Sequence, residues 1–149
     1  MKKLSSFLCG LAVLGMMFTS CDGGQGGKTP IENIVEDGFY VVGEASAFAS
    51  LEAEGSAAAI MAAGTNENAS NAAREGMYEK YIALEGGKPF QLVLKEGAVE
   101  TVYGAELAEV ALSGNDQPEI TVQRGKMVEG VTMQVPADGL YHIVLDLNL

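Results

Sequence analysis

Tryptophan is missing altogether, histidine occurs once and cysteine twice. Without tryptophan, any flat aromatic surface must come from the five tyrosines and five phenylalanines. Cys9 lies inside an apolar N-terminal run and Cys21 stands just after it. Residues 22–149 therefore hold no thiol and no disulfide, and cysteine usage is silent on chemistry. Zinc sites of the usual kind need several His or Cys ligands, which that part of the chain lacks. The single histidine, His142, has no G-x-S-x-G elbow to serve, so a nucleophile–histidine device is not signalled. Basic side chains are also few, nine against twenty acidic, for a net charge of −11. A phosphate backbone needs a basic face, so nucleic acid is excluded as a partner. Docking on anionic lipid by charge is excluded on the same ground, which leaves covalent or hydrophobic attachment.

What is present begins with a leader. Met1-Lys2-Lys3 is a short basic start, and Leu4 to Phe18 is an apolar run broken by Ser5 and Ser6. The run is short for a membrane span and has the charge, length and small-residue ending of a secretory signal. Thr19-Ser20-Cys21 at the cleavage point looks like the lipobox of bacterial lipoproteins. That likeness implies cleavage before Cys21, acylation of its sulfur and new amino terminus, and a lipid anchor in a membrane. Loss of Lys2 and Lys3 with the leader leaves seven basic against twenty acidic side chains, a net charge of −13. Four glycines among Gly23, Gly24, Gly26 and Gly27 then bury nothing and hold no regular structure. The expected organisation is a signal peptide over 1–20, a flexible lipidated tether over 21–36 and one folded domain over 37–149.

The folded part reads as strands. Period-two alternation recurs in Gly38–Gly43, Met77–Leu84, Phe90–Lys95, Val99–Tyr103, Leu107–Leu112, Ile120–Gln123 and Val131–Val135. The clearest run is Leu140 to Leu149, with Tyr141, Ile143, Leu145, Leu147 and Leu149 on the inner face and His142, Val144, Asp146 and Asn148 on the other. By the same alternation Phe39, Tyr81 and Tyr141 are expected in the core. Turn signals fall about every ten residues, as in an antiparallel β-sandwich. One segment interrupts the pattern. Leu51 to Ala73 carries an alanine cluster over Ser56–Ala63, expected to make one or two helical turns, and then an Asn-rich stretch expected to be a loop. The fold class expected is all-β and mainly antiparallel, an immunoglobulin-like or starch-binding-like sandwich with one short helical excursion.

Other chemistry finds little support. Asn66-Glu67-Asn68 and Asn115-Asp116-Gln117-Pro118-Glu119 are oxygen-rich but lack the spaced carboxylates of a twelve-residue calcium loop. Carboxylates for sugar hydrolysis are plentiful, yet a domain of this size has little room for the cleft that encloses a sugar ring. The tether glycines follow no strand and open no helix, so they form no phosphate loop. No metal, no cofactor and no catalysis are expected.

Three stretches carry a family resemblance. Tyr40-Val41-Val42-Gly43-Glu44-Ala45 resembles an opening strand motif, and Met77-Tyr78-Glu79-Lys80-Tyr81 with Pro89-Phe90-Gln91-Leu92 and Tyr103-Gly104 resembles the middle. Val135-Pro136-Ala137-Asp138-Gly139-Leu140-Tyr141-His142-Ile143-Val144-Leu145-Asp146-Leu147 resembles the closing strand. Together with the leader they are similar to the SusE/SusF-like outer-membrane lipoproteins of the Bacteroidetes, which serve glycan utilisation. The resemblance implies tandem β-sandwich domains, lipid-anchored in the outer membrane and displayed at the cell surface. It implies non-catalytic binding of α-glucan or another polysaccharide, with an outer-membrane transporter and a second glycan-binding lipoprotein as partners. Members that bind sugar use exposed aromatics, often tryptophan, against the apolar face of a glucose ring. Here the corresponding stretch reads Ser46-Ala47-Phe48-Ala49-Ser50. Phe48, Tyr78 and Tyr103 are the candidate carbohydrate-binding residues. The alternative expectation is a structural or assembly spacer that contacts protein partners and binds no sugar. Leu149 ends the chain within an apolar run, and since family members usually run on into further domains, three expectations stand together: the first domain of a longer protein, a truncated product, or a complete short one.

Overall fold

A computed structural model of the chain describes residues 33–66, 72–114 and 117–149. The leader, Cys21 and the glycine tether lie outside the described residues. In chain order the elements are β1 (Gly38–Val42), a 3-10 turn (Ser56–Ala59), β2 (Ala62–Asn66), β3 (Ala72–Leu84), β4 (Pro89–Glu96), β5 (Val99–Ala105), β6 (Ala108–Gly114), β7 (Gln117–Arg124), β8 (Met127–Glu129), β9 (Met133–Gln134) and β10 (Gly139–Asp146). Every pairing is antiparallel. The first sheet runs β1-β4-β5-β8, with β9 joining β4, and the second runs β10-β3-β2. β6 and β7 form a separate two-stranded ribbon. The fold is all-β and sandwich-like, as the alternation predicts.

The inner faces of the two sheets meet in one cluster. Phe39, Val41, Phe90, Leu92 and Ala105 come from the first sheet, and Ile82, Leu84 and Leu145 from the second. Met61, Met133 and Val135 close it at the margins. Each of these side chains removed from water contributes roughly 1.5–3 kcal/mol of transfer free energy if large and aliphatic or aromatic. The register follows from the pattern: Leu92 opposes Val41 on one side and Tyr103 on the other, so the apolar residues of three strands share a face.

The first sheet is covered on its other face too, and this explains why β1 reads GFYVV without polar interruption. Tyr40, Val42 and Val93 point away from the main cluster and pack with Leu51 and Ala59, both from the excursion between β1 and β2. Val35, Phe48, Ile60 and Val102 fill the margins of this second cluster. The excursion is thus a lid on the sheet rather than an open loop. Asn33 pins it: its side-chain amide donates to the carbonyls of Leu51 and Ala53 at 3.0 Å each and to Ser56 Oγ at 2.7 Å. Ser56, fully buried, passes the bond on to the Leu51 carbonyl. Residues 33–36 therefore pack with the folded part, although composition groups them with the tether.

Two glycines are required by close approach. At Gly104 an added Cβ would lie 2.1 Å from the Val131 carbonyl oxygen, and at Gly43 one would lie 2.6 Å from Phe90 Cα. Gly43 also holds φ at 135°, outside the range L side chains favour.

Three expectations are corrected. The Asn-rich stretch was expected to be a loop, but Gly64-Thr65-Asn66 continues β2, which pairs with β3; residues 67–71 lie outside the described residues. Backbone pairing to a neighbouring strand overrides the weak strand propensity of Ala, Gly and Asn. The inner face of β10 stops at Leu145, because the strand ends at Asp146 and both Leu147 and Leu149 are exposed. Asn148 there turns the chain, its backbone N–H and side-chain amide both bonding to Asp146 Oδ1. Finally, Tyr81 is not core but 63% exposed. Ile82 and Leu84 are buried and set the inner parity of β3, so an odd-numbered neighbour must face outward.

Candidate functional site

The second sheet has one covered face and one open face. On the open face the register places Leu140 opposite Ala83, His142 opposite Tyr81, Val144 opposite Glu79 and Asp146 opposite Met77. The centre of this face is an aromatic pair. The rings of Tyr81 and His142 lie with centroids 4.1 Å apart and planes 4° from parallel. Cross-strand neighbours on one face stand close enough for such stacking as a direct consequence of strand pairing. His142 Nε2 lies 2.9 Å from Glu79 Oε2, which fixes the imidazole plane and with it the stack. Leu140, 73% exposed, and the exposed Val144 flank the pair.

The end of the face is held by charge. Arg74 bridges Asp146 at 3.2 Å. The backbone N–H of Asn148 holds the Asp146 carboxyl below the ordinary carboxylate range; the Asn148 side chain and Arg74 add to this, against a smaller opposing desolvation.

The three aromatics singled out from sequence are not brought together. Tyr78 is half-buried on the inner side of β3, its ring 5.0 Å from that of Phe39 and tilted by 56°. Tyr103 is half-buried against the same inner cluster. Phe48 packs against the second cluster, on the opposite side of the first sheet. Tyr141 is half-buried and donates its hydroxyl to the Ala137 carbonyl at 2.7 Å. Tyr81 is thus the tyrosine most open to solvent among the described residues. A sequence signal for it existed. Tyr78 and Tyr81 are three apart in one strand and cannot share a face, and the apolar Ile82 and Leu84 decide which of them faces in.

Two open depressions lie elsewhere, at the end of the first sheet. One, of about 370 Å³, is lined by Ala105, Glu106, Leu107, Thr132, Met133 and Gln134. The other, of about 190 Å³, is lined by Gly43, Glu44, Ala49, Pro89, Phe90, Gln91 and Thr132. They share Thr132 and offer carboxylates and amides that could bond a hydroxylated ligand, but Phe90, the one ring among their linings, is buried. Among the described residues no group of three His, Cys, Asp or Glu side chains is placed to hold a metal ion. No described helix is long and apolar enough to cross a membrane.

Comparison with protein-family models, with curated proteins and with solved structures gives no match. The fold class and the open aromatic face are what define the molecule.

Proposed function

We propose that this chain is a lipid-anchored, surface-displayed lipoprotein of the SusE/SusF-like kind, whose β-domain binds carbohydrate without cutting it. Its lipid is carried by Cys21, and its sugar contact is the open face of the second sheet. The observation that carries the reading is the exposure of Tyr81 combined with its stack on His142. The stack covers one face of each ring, and a tyrosine 63% exposed keeps the other free. A sugar ring has an apolar face that packs on such a surface, while Glu79 and the Tyr81 hydroxyl supply polar edges for its hydroxyl groups. His142 and Glu79 act as positioning residues that keep the tyrosine ring upright. The net charge of −13 left after the leader is lost favours neutral polysaccharide such as α-glucan over acidic polymers.

Affinity electrophoresis of residues 22–149 through starch, dextran and plant glycans tests it. Retardation is expected in at least one neutral glycan, and Tyr81→Ala is expected to weaken it by about tenfold, or about 1.4 kcal/mol. Migration unaffected by every glycan removes the sugar-binding reading. The second reading, a domain that contacts protein partners and binds no sugar, is favoured by Leu140 and Val144, which flank the aromatic pair and leave apolar surface on the same face.

A further inference from the structure

β10 is the outermost strand of the second sheet, and among the described residues it pairs with β3 alone. The other edges of the two sheets are guarded. β2 carries a register shift between Ala63 and Thr65, and β8 and β9 are only three and two residues long. The free side of β1 is taken by Ile60, which bridges Tyr40, and by Met61, whose N–H donates to the Phe39 carbonyl. Short strands, irregular register and cover are how sheets keep an edge from adding another strand. β10 has none of these devices. It runs eight residues in unbroken register with β3 and carries no Lys, Arg or Pro.

The strand is also self-complementary. Leu140-Tyr141-His142-Ile143-Val144 has aliphatic residues at its ends, larger half-buried side chains next to them and His142 at its centre. An isologous contact brings residue i onto j and j onto i, so it needs a pattern of this kind. Centred on His142, two antiparallel copies of β10 set Leu140 of each against Val144 of the other, and Tyr141 against Ile143. Leu140 is 73% exposed, Val144 is 49% exposed, and Tyr141 and Ile143 are half-buried, so all four gain apolar cover. Moving the centre one residue along sets Leu140 against Asp146, or Val144 against Asp138.

We infer that β10 joins β10 of a second copy of the chain, antiparallel and centred on His142, so that two three-stranded sheets become one of six strands. The backbone edge supplies the hydrogen bonds, and the apolar pairs fix the register. Local charge does not oppose this centre. Glu79 is engaged by His142, Lys80 by the Ala58 carbonyl and Asp146 by Arg74, all within one chain. Asp138 of one copy and Asp146 of the other come next beyond the last pair, Gly139 with Leu145. There Asp138 is turned aside to accept the Gly86 N–H at 2.8 Å. The net charge of each copy, −13 from seven basic and twenty acidic side chains, does oppose it. That repulsion and a seam of one strand keep the association weak, since stable interfaces bury roughly 800 Å² per partner. The inference does not rest on the carbohydrate reading, because the seam uses the edge of the sheet and leaves the Tyr81 ring open.

Sedimentation equilibrium of residues 22–149, which contain every described residue, tests it from micromolar to about millimolar protein. The expected result is a reversible monomer–dimer equilibrium with a dissociation constant above roughly 10 µM, as small interfaces give. Leu140→Lys sets a cation against Val144 and is expected to weaken it by about tenfold or more, while the urea midpoint of the dilute protein stays unchanged. Cysteine linking reads the register, because residues 22–149 hold no thiol of their own. Directly opposed residues of antiparallel strands have Cα atoms about 4.5–5.5 Å apart, within reach of a disulfide. A Leu140→Cys chain mixed with a Val144→Cys chain under mild oxidation is expected to give mostly the mixed dimer. A chain that stays monomeric to millimolar overturns the inference, whether or not the edge takes up an extended peptide of other sequence. So does a dimer that Leu140→Lys leaves intact, or a set of linked dimers in random proportion.

Discussion

The two sheets of this domain are treated differently by the rest of the chain. The first sheet is covered on both faces, by the second sheet on one side and by the excursion over 46–60 on the other. Its strands accordingly carry apolar residues at consecutive positions, as in Phe39-Tyr40-Val41-Val42, all buried. The second sheet is covered on one face only. Its outer row of Leu140, Tyr81, His142, Val144 and Glu79 ought by alternation to be polar, yet it holds an aromatic pair and two exposed aliphatic residues. Apolar side chains that are buried explain themselves through the core. Apolar side chains kept in water on an otherwise ordinary β-face do not, and it is on them that the proposed ligand contact rests.

Substitutions of one type at the two places make the contrast measurable. Leu92→Ala, on the inner face of the first sheet, opens a cavity in the cluster shared by both sheets and is expected to cost about 3–4 kcal/mol of unfolding free energy. Leu140→Ala, on the open face, is expected to change it by less than about 0.5 kcal/mol. Urea unfolding followed by circular dichroism reads both. Equal losses would mean that the open face is covered in the free protein and would remove the distinction.

A smaller effect sharpens the comparison at the end of the open face. The bonds from Asn148 and the neighbouring Arg74 hold the Asp146 carboxyl below its ordinary range. A group depressed in the folded state stabilises the fold above its unfolded pKa, near about 3.9, and that contribution fades as pH falls through the folded value. The fold should therefore lose urea resistance on acidification below about pH 4, and Asp146→Asn should show a shallower loss over the same range. Midpoints at neutral and acid pH for both proteins decide it; parallel losses would show that the carboxyl stabilises nothing.

The amount legible in the sequence follows the same division. Where one face is buried and the other wet, alternation gives the strand and its inner side, as in β10 with Ile143 and Leu145. Where a strand is built of weak formers, as in the Ala-Ala-Gly-Thr-Asn of β2, pairing with β3 makes the strand and the residues alone read as loop. The three-residue β8, Met127–Glu129, is likewise invisible, since it exists by virtue of its register with β5. The candidate site was partly legible. His142 reads as outward-facing from its own strand, and it is exposed. Tyr81 reads as core by the alternation of its run, and the parity fixed by the buried Ile82 and Leu84 turns it out. Phe48, Tyr78 and Tyr103 are legible as aromatics, but Tyr78 and Tyr103 face the cluster between the sheets, and where Phe48 packs depends on how the excursion folds back over the first sheet. That contact spans residues distant in sequence, such as Asn33 and Ser56, and no local pattern announces it.

The open face of the second sheet is the proposed surface for a ligand. The most direct measurement is amide chemical-shift mapping of residues 22–149 titrated with an oligosaccharide of whichever glycan retards the protein. The account predicts shifts concentrated at Glu79, Tyr81, Leu140, His142 and Val144, lost in Tyr81→Ala. Shifts gathered instead around Thr132, Glu106 and Gln91, with the open face silent, would contradict it.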